Sequence, residues 1–233
     1  MNYLYLLLNL GSLSIPFIFS FHPKLKFYKK WPYLILAMLL TMVVFIPWDV
    51  IFTNNGIWGF NENYFLGMKL FQLPIEEWLF FICIPYACVF THYALLYYFP
   101  NLKLSLKLTT GLSWGLLVVM VLLLSFHYDK WYTLINYGFA IILILLVLKN
   151  NLELLRSYYL TFLVMLIPFF IVNGILTGSG IEDQVVWYNN SENLGIRLWT
   201  IPIEDTIYAF TLILMNLALV DYFEKRSLRK QQL

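Results

Sequence analysis

Two adjacent pairs of carboxylates stand in an otherwise strongly apolar chain. Glu76 and Glu77 lie in Leu73-Pro-Ile-Glu-Glu-Trp-Leu-Phe-Phe81, and Glu204 and Asp205 in Ile201-Pro-Ile-Glu-Asp-Thr-Ile-Tyr-Ala-Phe210. An apolar setting and a like-charged neighbour both favour keeping one carboxyl of a pair protonated. Each pair therefore offers an acid beside a base, which is what proton-transfer chemistry requires. A plainer reading exists for a single such motif: proline suits the first helical position, and acids in the first turn complement the helix dipole. Against it, the motif occurs twice and each copy opens a membrane-length apolar run. Ionisable groups at membrane depth are costly enough to point to function. Asp49, after Trp48, is a third acid at membrane depth, and a tryptophan beside it also fits an ordinary interfacial anchor. Neighbouring helical residues point about 100° apart, so one acid of each pair is expected to face a site; Glu76 and Glu204 are the expected inward members.

The elements that must position these acids follow from composition. Of 233 residues, 61% are hydrophobic and 12% charged, too apolar for a soluble fold to hide. A spanning helix needs about 20 mostly apolar residues, and seven segments qualify: roughly 2–20, 31–52, 73–99, 110–126, 131–148, 158–176 and 201–221. The predicted class is an all-α polytopic membrane protein with seven transmembrane helices. The first segment lacks a basic flank and a small-residue cleavage site, so it reads as a retained helix. The net charge of +2 comes with no basic stripe, so no nucleic-acid partner is expected; the lipid bilayer is.

Basic residues give the orientation. Lys24, Lys26, Lys29, Lys30, Lys103, Lys107, Lys149, Arg156, Lys225, Arg226, Arg229 and Lys230 fall on one side, against Lys69, Lys130 and Arg197 on the other. The positive-inside rule predicts a multi-pass protein of the cytoplasmic membrane with its N-terminus outside, its C-terminus in the cytoplasm and both carboxylate motifs near the outer face. The basic end after helix seven reads as a frayed tail. Helices four and five carry no acid and look uninformative about chemistry. Cys83 and Cys88 read as small buried hydrophobes, His92 as a hydrogen-bonded packing residue and His22 as a solvated one, so no metal site is expected.

An internal repeat ties the motifs together. When Pro74 is aligned with Pro202, Gly67 matches Gly195, Lys69 matches Arg197, and Trp58 falls within one position of Trp187; Ile46-Pro47 and Ile167-Pro168 occupy corresponding places in helices two and six. The predicted organisation is one repeat over 1–105 (helices one to three), a linking helix over 106–128 and a second repeat over 129–233 (helices five to seven). The extra helix makes the copies parallel, so both motifs face the same side and build one composite site.

These stretches resemble a known family. Trp48-Asp-Val-Ile-Phe-Thr53, Trp58-Gly-Phe-Asn61, Leu73 to Phe81 and Ile84-Pro-Tyr86 resemble the first domain of the integral-membrane lycopene β-cyclases; Leu176-Thr-Gly178, Trp187-Tyr-Asn-Asn190, Gly195-Ile-Arg197 and Ile201 to Asp205 resemble the second. The chain is similar to a fused form of these carotenoid cyclases. The resemblance implies cyclisation of the open ends of lycopene, or another acyclic carotenoid, to β-ionone rings, giving γ-carotene and β-carotene, and leaves contact with other carotenoid-pathway enzymes open. The chemistry is a redox-neutral isomerisation needing an acid and a base, with Glu76, Glu77, Glu204, Asp205 and Asp49 as the catalytic set. Aromatic faces stabilise a passing carbocation by about 0.5–2 kcal/mol each. Trp48, Trp58, Phe60, Asn61, Trp78, Trp187, Tyr188, Asn189, Arg197 and Trp199 are the expected substrate-binding residues. No Gly-x-Gly-x-x-Gly turn occurs, so no dinucleotide cofactor is expected.

Other readings remain at this point. A small proton-coupled transporter with parallel three-helix repeats shares the topology but usually carries a Pro-Gln pair, absent here. A retinal protein would need a lysine within 201–221, which has none. A prenyltransferase would want Asp-rich magnesium sites, whereas these acids flank aromatics. A related carotenoid-modifying enzyme is a further alternative.

Overall fold

The computed structural model describes residues 3–231. It is all-α, with seven helices among the described residues: α1 Leu4–Phe19, α2 Trp31–Asn54, α3 Ile75–Tyr98, α4 Leu106–Phe126, α5 Trp131–Asn150, α6 Leu152–Leu176 and α7 Ile203–Gln231. Six are long and apolar enough to cross a membrane, whereas α1, of 16 residues, falls short of the usual length. The seven expected spans are thus seven helices of which six meet the criterion. Two boundaries shift markedly. α6 starts at Leu152, where Glu153 and Arg156 pair at 2.7 Å. The expected frayed tail is instead helical through Gln231. Lys225 pairs with Asp221 one turn away at 2.6 Å, a spacing that supports a helix.

Both carboxylate motifs begin on short hairpins rather than directly on helices. β2 (Lys69–Leu70) pairs with β3 (Leu73–Pro74), and β5 (Arg197–Leu198) with β6 (Ile201–Pro202), each antiparallel. Pro74 therefore ends a strand and caps α3 with extended ψ, one residue ahead of the first helical position expected for it. Phe71 and Gln72 in one turn, and Trp199 in the other, adopt positive φ, as two-residue hairpin turns demand. Phe71 and Trp199 are exposed at the tips, where aromatic rings suit a membrane–water interface.

The packing interleaves the two halves. α1 lies along α3 and α5 along α7, while α2 packs chiefly on α7 and α6 on α3. Two loop strands, β1 (Trp58–Phe60) and β4 (Val186–Tyr188), join antiparallel, with Trp58 opposite Tyr188 and Gly59 opposite Trp187. Gly59 is required there: a Cβ would stand 2.4 Å from the Trp187 indole. At the other end Lys30 pairs with Glu224 at 2.6 Å and Asn151 donates to Asp221, gathering the basic loops on one side of the bundle. His92 is buried against the Thr161 hydroxyl, as its packing role predicts. Cys83 is buried; Cys88 is only half-buried and faces a cavity.

Candidate active site

α1, α3, α6 and α7, with Asp49, Trp58, Phe60 and Tyr188, enclose a cavity of about 690 Å³. That is within the ordinary range for small-ligand sites. Three carboxylates face it: Asp49 from α2, Glu77 from α3 and Asp205 from α7. The expectation that Glu76 and Glu204 point inward is reversed. Both are fully buried against the loops ahead of their helices. Glu76 Oε1 accepts the Leu66 N–H at 2.8 Å; Glu204 Oε1 accepts the Leu194 N–H at 2.8 Å and the Thr133 hydroxyl at 2.8 Å. The first acid of each pair thus pins its loop, and the 100° step per residue turns the second toward the cavity.

Tyrosines hold the inward acids. Tyr5 donates to Glu77 Oε2 at 2.5 Å and Tyr208 to Asp49 Oδ1 at 3.0 Å. Asp205 receives three donors: Tyr132 on Oδ1 at 2.6 Å, with Asn173 Nδ2 and Tyr188 on Oδ2, each at 2.9 Å. Burial, and then the charge of Asp205, pushes the Tyr188 phenol well above its ordinary pKa, so it stays a donor. The complement around Asp205 is that of a carboxylate, while among the described residues a single donor reaches Glu77. Trp58 stands over this group, 5.0 Å from the Tyr132 ring and 6.2 Å from that of Tyr188 (centroid to centroid), and Phe60 stacks on Tyr5.

The bonds recur between the two halves. Asn9 on α1 donates to the Glu76 carbonyl at 2.8 Å, and Asn136 on α5 to the Glu204 carbonyl at 2.6 Å. Tyr5 and Tyr132 stand four residues before these asparagines and reach Glu77 and Asp205. Helix α5, expected to be chemically silent, therefore supplies Tyr132, Thr133 and Asn136. Tyr5, Tyr132, Tyr208 and Asn173 are not among the site residues expected from the motifs. The signal for two of them was present as Tyr-x-x-x-Asn at 5–9 and 132–136, a polar stripe on each of two apolar helices.

Of the ten expected binding residues, Trp58, Phe60 and Tyr188 line the cavity. Trp48 lies behind it, stacked on Phe45 within the core. Asn61 bonds Asp183 in the loop after α6, Trp78 bonds the Leu70 carbonyl, and Asn189 shapes a turn by accepting the Ser191 N–H. Trp187 covers Gly59 from outside. Arg197 bonds the Thr200 carbonyl and Asn190, with its guanidinium 5.5 Å from the Tyr188 ring centroid. Trp199, 83% exposed, lies at a hairpin tip. Five of these seven sit on loops and short strands that fold back on themselves, while Trp48 on α2 and Trp78 on α3 turn away from the cavity, and local motif spacing encodes neither arrangement.

Comparison with known proteins agrees with the motifs. The sequence model of the lycopene cyclase family matches residues 2–95 and 129–223, most of the chain. A bifunctional lycopene cyclase/phytoene synthase of Leptosphaeria maculans is 40% identical over 48 residues, 20% of this chain and 8% of that protein. Another, of Arthroderma gypseum, is 36% identical over 73 residues, 31% of this chain and 11% of that protein. The matched stretches thus span about a tenth of these longer relatives, and no solved structure matches. Tandem matching to one family, with one acid of each motif at a single cavity, has a direct meaning: this chain belongs to the lycopene cyclase family.

Proposed function

We propose that the protein closes the open ends of lycopene, or a closely related acyclic carotenoid, into β-ionone rings at this cavity. The observation that carries the reading is the meeting of Glu77, Asp205 and Asp49 in an otherwise apolar, aromatic chamber. The reaction balances without electron transfer. A carboxylic acid adds a proton to the terminal double bond; the resulting cation is attacked by a neighbouring alkene, forming the ring C–C bond. A carboxylate then removes a proton to leave the ring double bond. Glu77, with one donor on Oε2, is assigned as the acid, and Asp205, with three donors, as the base. Asp49, paired with Tyr208, supplies negative charge near the transient cation, and Trp58 presents an aromatic face to it.

The recurrent bonds favour a two-repeat organisation, helices α1–α3 and α5–α7 around linking helix α4. The basic side of the bundle favours an N-out, C-in orientation in a cytoplasmic membrane, with the acids near the outer face. Expression in lycopene-accumulating cells with pigment analysis tests the activity. Appearance of mono- and dicyclic carotenoid is expected; unchanged lycopene, with the protein present in membranes, would sink the reading.

A further inference from the structure

The cavity is longer than a ring-closing chamber needs. From Glu77 its wall continues along α3 through Phe80, Ile84 and Cys88 to Thr91, about 21 Å at 1.5 Å per residue. Pro16 on α1 and Phe162 on α6 lie among its lining residues. α1 and α6 both pack on α3, so the extension is a slot with α3 as its floor. The rim residues Leu7, Ile15 and Ile171 are each at least 60% exposed, which in a membrane means exposure to lipid. The slot is therefore mainly apolar, continuous with the acids and open sideways to the bilayer.

Its counterpart in the other half is closed. Tyr5 and Asn9 make the same bonds as Tyr132 and Asn136. In that register Gly11 corresponds to Gly138, and Ser12 to Phe139. Phe139 fills the space between α5 and α2, edge-on to Phe45 at 5.3 Å and beside Trp48 at 6.3 Å. Ser12, in the same place, turns its hydroxyl back to the Leu8 carbonyl at 2.7 Å and leaves the slot free. Gly11 lines the slot and a Cβ there would meet nothing within 4 Å, as at Gly138, so the two halves differ at Ser12 against Phe139.

We infer that the slot between α1 and α6 receives the polyene tail of the substrate directly from the bilayer, and that Ser12 and Gly11 are the specificity-determining residues that keep it open. This rests on the cyclase reading for the identity of the occupant. A rod-like hydrocarbon fits the observations because one end must reach the acids while the remainder stays in apolar surroundings. Phe139 closes the twin slot, so one tail is held at a time.

The test uses the purified chain in lipid nanodiscs with lycopene as probe, in a Glu77→Gln background that binds without turnover. Induced circular dichroism of the polyene reports occupancy. Ser12→Phe and Gly11→Phe are each expected to weaken binding by about tenfold or more, and to lower kcat/KM similarly when Glu77 is intact. Gly115→Phe, on the lipid-facing side of α4, is expected to bind as the parent does. Gly11→Phe decides the matter if Ser12→Phe fails to fold. Parent-like lycopene binding in folded slot variants, or no lycopene binding by the parent, overturns the inference. Binding lost in the slot variants, in a protein that never cyclises lycopene, would retain the slot and sink the proposed activity instead.

Discussion

At the scale of single residues, adjacent acids have opposite duties. Glu77 and Asp205 reach the cavity, while Glu76 and Glu204 hold backbone N–H groups of their loops. Two predictions separate these duties. Glu77→Gln and Asp205→Asn should each cut ring formation by about 10²–10⁴-fold, the usual worth of a general acid or base, with normal amounts of protein in the membrane. Pigment analysis against protein level checks this, and near-parental turnover in both variants would refute the assigned roles. Glu76→Ala removes the fully buried carboxyl that accepts the Leu66 N–H, a loss of about 1 kcal/mol for the hydrogen bond. Its expected signature is a lower denaturation temperature in detergent. A loss of activity at unchanged stability would instead give Glu76 a chemical part.

At the scale of elements, the short strands β1 and β4 join the loops that follow α2 and α6 and set Trp58 and Tyr188 over the acids. Their approach depends on Gly59, whose absent side chain admits the Trp187 indole. Gly59→Ala should therefore lower both stability and turnover. Trp187 is 41% exposed, so trimming it costs little, and Gly59→Ala with Trp187→Ala should recover most of the loss. A double-mutant cycle on thermal stability measures the coupling; additive losses would show that the close approach does not matter. The hairpins β2–β3 and β5–β6 have a different task. They end the loops on strained turns ahead of α3 and α7, whose first turns bring Glu77 and Asp205 to one cavity.

At the scale of the molecule, both motifs serve one chamber rather than one per membrane face. A carotenoid long enough to leave its far end outside would offer one end at a time. Closing the second ring then requires the monocyclic product to withdraw and return reversed. Labelled lycopene chased with unlabelled substrate in mid-reaction should therefore pass its label through free monocyclic carotenoid. Label reaching dicyclic product without mixing into that pool would mean both ends are handled in one binding event, contrary to a single chamber.

The sequence by itself determined the class, the helices to within a few residues over most of the chain, the pairing of the two motifs and the family. These are written in composition and local spacing: apolar runs long enough for a bilayer, and Pro-x-acid-acid repeated in register. Tyr-x-x-x-Asn on α1 and α5 was written there too, but its meaning needs a partner some seventy residues away. Only the tertiary structure decided which acid of each pair faces inward, because that depends on where the hairpin delivers the first turn of the helix. It alone removed Trp199, Arg197 and Trp78 from the chamber and admitted Tyr208 and Asn173. It alone also distinguished the open slot at Ser12 from the filled one at Phe139, since a side chain's effect on a cavity depends on what stands across from it, and α2 and α6 each cross to the other half of the chain.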